Sequence, residues 1–216
     1  MRIDGQGLGL MYGSGEKTVC LKDASISLKP GEMTVIQGPS GSGKSSLLYL
    51  LSGLRKPTSG TVYINDVDLE SYTVNEKDLL RKQKFGFVFQ RLFLLPYLTA
   101  LENVMIGMHE PCPSSAQYAL SLLTKLGIEH VAGRKPSTLS QGQRQRIAIA
   151  RALANTPEVV FADEPTASLD HDNAIDVMNI LNDCKVHASI LIVTHDSSIL
   201  EKADRVMQLH DGVLHP

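Results

Sequence analysis
Hydrophobic positions fall into short, nearly unbroken runs separated by stretches of helical spacing. Met33 to Gln37, Phe85 to Phe89, Val159 to Ala162 and Ile190 to Val193 are such runs, each bounded by turn residues. That is the pattern of strands buried on both faces of a largely parallel sheet. Lys44 to Leu54 follows the first run with helical spacing, Asn173 to Cys184 precedes the fourth, and Ser197 to Ala203 follows it. Strands alternating with helices predict an α/β, doubly wound core.

Between the second and third runs the texture changes. From Arg91 to Pro157 the chain reads as helices, Ala100 to Met108, Ser114 to Leu126 and Gly142 to Ala154, with Pro- and Gly-containing breaks. This predicts a helical subdomain, about residues 91–157, inserted into the core. Ahead of the core, Met1 to Lys29 contains the alternating stretch Asp23 to Leu28, which predicts an antiparallel β subdomain beside it. A last strand is expected at Arg205 to Leu209. Residues 1–216 are therefore expected to form a single domain.

Composition narrows the class. With 216 residues, 43% of them hydrophobic and 20% charged, the chain is long enough for one substantial core. A formal charge of −2 supplies no basic field for a phosphate backbone, so a nucleic-acid partner is not expected. The basic run Arg81 to Lys84, beside Glu76 and Asp78, reads as a solvated face. Cys20, Cys112 and Cys184 lack CxxC spacing and suggest neither disulfides nor a zinc site, which fits a reducing cytoplasm. The first residues do not resemble a secretory signal. All apolar runs are far shorter than the roughly 20 residues of a spanning helix, so any work at a membrane needs another protein as anchor.

Two motifs carry phosphate chemistry. Gly38-Pro39-Ser40-Gly41-Ser42-Gly43-Lys44-Ser45 follows a predicted strand and opens a predicted helix, the context a phosphate-binding loop requires. Glycines let backbone N–H groups close around phosphate oxygens at a helix N-terminus. Lys44 brings a charge to the β and γ phosphates, and the Ser45 hydroxyl is a ligand for Mg²⁺. Val159 to Ala162 then leads into Asp163 and Glu164, two carboxylates at the C-terminal end of a buried strand, where open α/β sheets bind ligands. Asp163 is expected in the magnesium shell and Glu164 as the general base that polarises water. These two motifs define a magnesium–nucleotide site without saying which machine it serves.

Leu139-Ser140-Gln141-Gly142-Gln143, continuing to Leu153, resembles the signature sequence of ABC ATPases, with Gln141 where that motif usually has glycine. The resemblance covers essentially the whole chain. It implies a P-loop NTPase core and an ATP sandwich, each ATP lying between Gly38 to Ser46 of one copy and Ser140, Gly142 and Gln143 of the other. It further implies that Gln90 touches Mg²⁺ and water, that His195 hydrogen-bonds the γ-phosphate, that Tyr12 stacks on adenine, and that Ser168-Leu169-Asp170 meets the partner. The helix after Gln143 reads as amphipathic with solvated arginines.

The stretch Gln90 to Val104 resembles the bacterial ATPases of lipoprotein release, macrolide efflux and peptide-antibiotic resistance. That likeness implies separate integral membrane permease subunits and a peripheral place on the cytoplasmic face of the inner membrane. A permease helix is expected to dock between Gln90 to Tyr97 and the helix starting near Ala100, with Phe93, Leu94 and Leu95 as candidate anchors. Two readings stay open beside transport: a cell-division type of mechanotransmission that moves no substrate, and a small-molecule kinase using the same loop.

Overall fold
The computed structural model describes residues 1–13, 18–110, 112–167 and 169–216. The chain opens with two long strands, β1 (Ile3–Tyr12) and β2 (Thr18–Leu28), followed by β3 (Met33–Gln37) and helix α1 (Lys44–Leu51). Next come the hairpin strands β4 (Ser59–Ile64) and β5 (Val67–Asp68), helix α2 (Val74–Lys84) and β6 (Phe85–Val88). Helices α3 (Ala100–Met105), α4 (Ser115–Lys125) and α5 (Gln141–Leu153) precede β7 (Val159–Asp163), and α6 (His171–Cys184) leads to β8 (Ser189–Thr194), β9 (Arg205–His210) and β10 (Val213–His215).

One sheet has the order β2-β1-β4-β5 and is antiparallel throughout. The other has the order β10-β9-β3-β8-β7-β6, parallel except for β10. The architecture is the expected α/β core with an antiparallel N-terminal sheet and helices inserted between β6 and β7.

The continuous apolar strands divide their side chains by parity, because successive residues point to opposite faces. Val35, Val160, Ala162, Ile190 and Ile192 face the helical side, where Val104, Ile147 and Ile149 pack. Ile36, Val159, Phe161, Leu191 and Val193 face α1 and the antiparallel sheet, meeting Leu47, Leu48 and Leu51. Both faces are dry, so the sheet is a fixed platform whose C-terminal strand ends can hold chemistry in place.

Some elements differ from expectation. Helix α1 stops at Leu51 rather than Leu54, because Gly53, at φ 65, turns the chain out of the helix. Ser197–Lys202 is a 3-10 helix. Helix α2 and the β4–β5 hairpin were not foreseen.

Candidate functional site
Strand β3 runs into the phosphate loop, and α1 begins at Lys44. Gly43, the N-cap, has φ 105, and a Cβ there would lie 2.7 Å from the Cys20 carbonyl oxygen. Only glycine fits that conformation and that contact. A Cβ on Gly38 would meet the Leu209 carbonyl oxygen at 2.2 Å, so β9 presses directly on the start of the loop. Among the described residues no side chain caps α1, and its first N–H groups face the loop in the manner of an anion cradle. The Lys44 ammonium is already drawn back over the loop, donating to the carbonyls of Gly38 at 2.8 Å and Pro39 at 2.9 Å. Ser42 is buried beneath, its hydroxyl unpartnered among the described residues.

The ends of β7 and β8 bring Glu164 and His195 together. Glu164 has φ 50 although it precedes a proline, a left-handed conformation that costs roughly 1–2 kcal/mol for a residue with a Cβ. Its N–H donates to the Val193 carbonyl at 2.9 Å. Its carboxylate accepts from the Thr194 hydroxyl at 2.9 Å, the His195 N–H at 3.1 Å and His195 Nδ1 at 2.7 Å. An ionised carboxylate only accepts, so the imidazole presents Nδ1–H to it and keeps Nε2 for another partner. The side chains differ sharply in exposure, 9% for Glu164 and 64% for His195.

Pro39, Ser40, Gly41, Gly43, Lys44, Ser45, Ser46, Gln90, Asp163, Glu164 and His195 line one cleft of about 560 Å³. Cys20 lines it too, a residue whose spacing in the sequence suggests neither a disulfide nor a zinc site. Gly38 and Ser42 support the loop from behind rather than lining the cleft. Tyr12 stands beside it: its hydroxyl lies 3.3 Å from Ser46 Oγ, and the Arg55 guanidinium covers one ring face at 4.1 Å.

Burial pushes the Asp163 carboxyl above its usual range and the Glu164 charge adds to this, while a hydrogen bond from Ser45 and the charge of Lys44 oppose it. A buried carboxylate wanting positive charge, beside a hydroxyl and an amide oxygen, is an all-oxygen donor set that suits magnesium bound jointly with phosphate. Ser45, Gln90 and Asp163 therefore fit the ion that the phosphate loop implies.

The remaining site residues lie elsewhere. Ser140, Gly142, Gln143 and Asp170 line a second cleft of about 310 Å³ that shares no residue with the first. Ser140 caps α5, accepting from the Gln143 N–H at 3.2 Å, while Gln143 Oε1 accepts from the Ser140 N–H at 3.0 Å. The Ser140 hydroxyl proton stays available to an anion at a positive helix end. Asp170 caps α6 by accepting from the Asn173 N–H at 3.0 Å, and that bond first of all holds its carboxyl below the usual range. Ser168 lies outside the described residues.

Helix α5 corrects one expectation: its arginines are not merely solvated. Arg144 donates to the Leu139 carbonyl at 3.0 Å and Arg146 to the Leu126 carbonyl at 2.8 Å. Arg151, its pKa lowered by burial, donates to the carbonyls of Leu92 at 2.6 Å and Phe93 at 2.8 Å. The helix thus fastens the loop that follows Gln90.

A phosphate loop after one strand of a parallel sheet, with two buried acids at the end of β7, separated from that strand by one other, defines the class as P-loop ATPase. The chain belongs to the ABC transporter family, whose sequence profile matches residues 21–167. It is 42% identical over 221 residues to the lipoprotein-releasing system ATP-binding protein LolD of Legionella pneumophila (strain Paris), across 99% of this chain and 96% of that one. It is 43% identical over 217 residues to the macrolide export ATP-binding/permease protein MacB of Rhodopseudomonas palustris (strain HaA2), across 98% of this chain and 33% of that one. The chain thus spans about a third of the MacB relative's length. The dimeric bacterial ABC transporter cassette MJ0796 matches with a TM-score of 0.91 at 37% identity, over 97% of this chain and 95% of that one. The same cassette in a dimeric post-hydrolysis state bound to ADP and Pi matches with a TM-score of 0.90.

Proposed function
We propose that the chain is the ATP-hydrolysing motor of a membrane transport machine, of the lipoprotein-release or export type, that works as a head-to-tail pair from the cytoplasmic face of the inner membrane. The observation that carries this is the division of the site. The phosphate loop, Asp163 and Glu164 line one cleft, while Ser140, Gly142 and Gln143 line another with no residue in common. In this reading a single ATP meets both because the second cleft comes from a second copy, which C2 symmetry supplies twice.

In this reading the loop N–H groups and Lys44 bind the β and γ phosphates, and the open face of Tyr12 receives the adenine. Magnesium, when held by Ser45, Gln90 and Asp163, neutralises phosphate charge. Glu164, fixed by Thr194 and His195, takes the proton of the attacking water, and His195 Nε2 reaches the γ-phosphate. Ser140 and Gln143 of the partner close the site, with Leu169 and Asp170 at the seam.

Coupling to a permease runs through the loop after Gln90. Phe93 is 57% exposed, with φ 48, its carbonyl held by Arg151 and its ring 5.6 Å from that of Phe89. Leu94 packs against the core and Leu95 is half-buried, so Phe93 is the anchor that faces outward. Among the described residues no helix is long and apolar enough to cross a membrane.

The deciding experiment is product analysis. Purified chain with MgATP should release ADP and orthophosphate in equal amounts, with turnover rising when a membrane partner is reconstituted. A phosphorylated small molecule as product would replace this reading with the kinase.

A further inference from the structure
Gln145 sits on α5 five residues after Ser140 and two after Gln143, between Arg144 and Arg146. Yet it is only 2% exposed. Its Nε2 donates to the Pro165 carbonyl at 2.9 Å, and that carbonyl belongs to the residue directly after Glu164. A buried polar side chain keeps its place through such a bond, and losing it strands a desolvated carbonyl.

The bond falls where the backbone needs holding. Glu164 has φ 50 in front of a proline, where the left-handed region is disfavoured both by its own Cβ and by the proline ring. Strained backbone persists only when its surroundings over-determine it. On the near side the Glu164 N–H is tied to Val193, and its carboxylate to Thr194 and His195. On the far side Gln145 ties the Pro165 carbonyl. The near-side ties come from β8 and the residue after it; beyond Glu164, its own carbonyl accepts from the Ala167 N–H of the same turn at a long 3.4 Å, and the shorter bond, to Pro165, comes from α5.

We propose that Gln145 is a positioning residue that couples the two ATP sites of the dimer. Helix α5 offers its N-terminus, Ser140 and Gln143, to the nucleotide held by the partner, and two residues after Gln143 it holds the Glu164–Pro165 segment of its own chain. When the partner's ATP seats against the helix start, α5 is fixed, and through Gln145 the protomer's own Glu164 is fixed with it. Each site then becomes competent only when the other is filled. This rests on the sandwich reading above.

The test compares wild type with Gln145→Met, which keeps the bulk and loses the donor, and Gln145→Glu, which keeps the shape and turns donor into acceptor. Both should lower kcat about 10- to 100-fold, the scale of a slightly misplaced catalytic group, with KM little changed. The Hill coefficient for ATP should fall from between 1 and 2 to about 1. Wild-type kcat in both variants would overturn the proposal. So would equal losses of nucleotide binding and turnover, or failure of both to fold, since Gln145 would then be a structural residue. Glu164→Gln with MgATP, sedimented in parallel, reports on the sandwich alone: no dimer there refutes the paired reading whatever the Gln145 variants do.

Discussion
Oε1 of Glu164 lies 2.7 Å from Nδ1 of His195 and 3.1 Å from the His195 backbone N–H, so one oxygen serves two donors of one residue. Glu164→Gln keeps the size but replaces an acceptor by an amide without a basic oxygen. Hydrolysis should fall by roughly 10² to 10⁴ while ATP binding persists. Phosphate release and fluorescent-nucleotide titration measure the two separately, and near wild-type turnover would show that Glu164 is not the base.

Asp163 gives a prediction in pH. Its folded-state pKa is raised, mainly by burial, so folding takes up a proton between the usual carboxylate range and the raised value. Stability from this group is therefore present at low pH and lost as pH rises through the folded value. Asp163→Asn should melt above wild type at neutral pH, by about 2–4 °C, with the gap closing in acid, and should lose hydrolysis. Melting curves across a pH series check it; a variant less stable than wild type at neutral pH contradicts it.

The parts of the fold legible in the sequence are those with strong periodic burial. Val159 to Ala162 and Ile190 to Val193 are buried on both faces, so their apolar runs are unbroken. Helix α2 was not legible because it buries none of its residues, and only the capping box of Thr73 and Glu76 marks its start. The β4–β5 hairpin turns at Asn65 and Asp66, φ 47 and 66, a short signal between strands half-exposed to solvent. In the site, the meeting of the glycine-rich loop with the acids at the end of β7 was legible because each follows an unbroken apolar strand of one sheet. Gln145 was not: a glutamine among arginines looks solvated until the tertiary fold brings Pro165 to it.

Cys112, ahead of α4, has its pKa lowered to about 7, first by the Ser114 hydroxyl at 3.1 Å and then by Ser115. Burial raises that of Cys184. Alkylation followed by peptide mass spectrometry should find Cys112 reacting well before Cys184, half-maximal near pH 7. Faster labelling of Cys184 would show that the serines do not stabilise the thiolate.

Phe93→Asp places a charge on an exposed ring position and leaves the Arg151 contact, made to the backbone, in place. Basal ATPase should stay within about twofold, because surface changes of this kind are small, whereas stimulation by the reconstituted membrane partner should be lost. Retained stimulation would move the docking surface away from Phe93.

Whether one ATP is shared by two copies is read from the sedimentation velocity of Glu164→Gln. With MgATP the chain should run as a dimer, and without nucleotide, or with Lys44→Ala added, as a monomer. Adding Ser140→Arg should also break the dimer by blocking the second cleft. A monomer under saturating MgATP, or a dimer indifferent to Ser140→Arg, would mean that the two copies do not share the nucleotide.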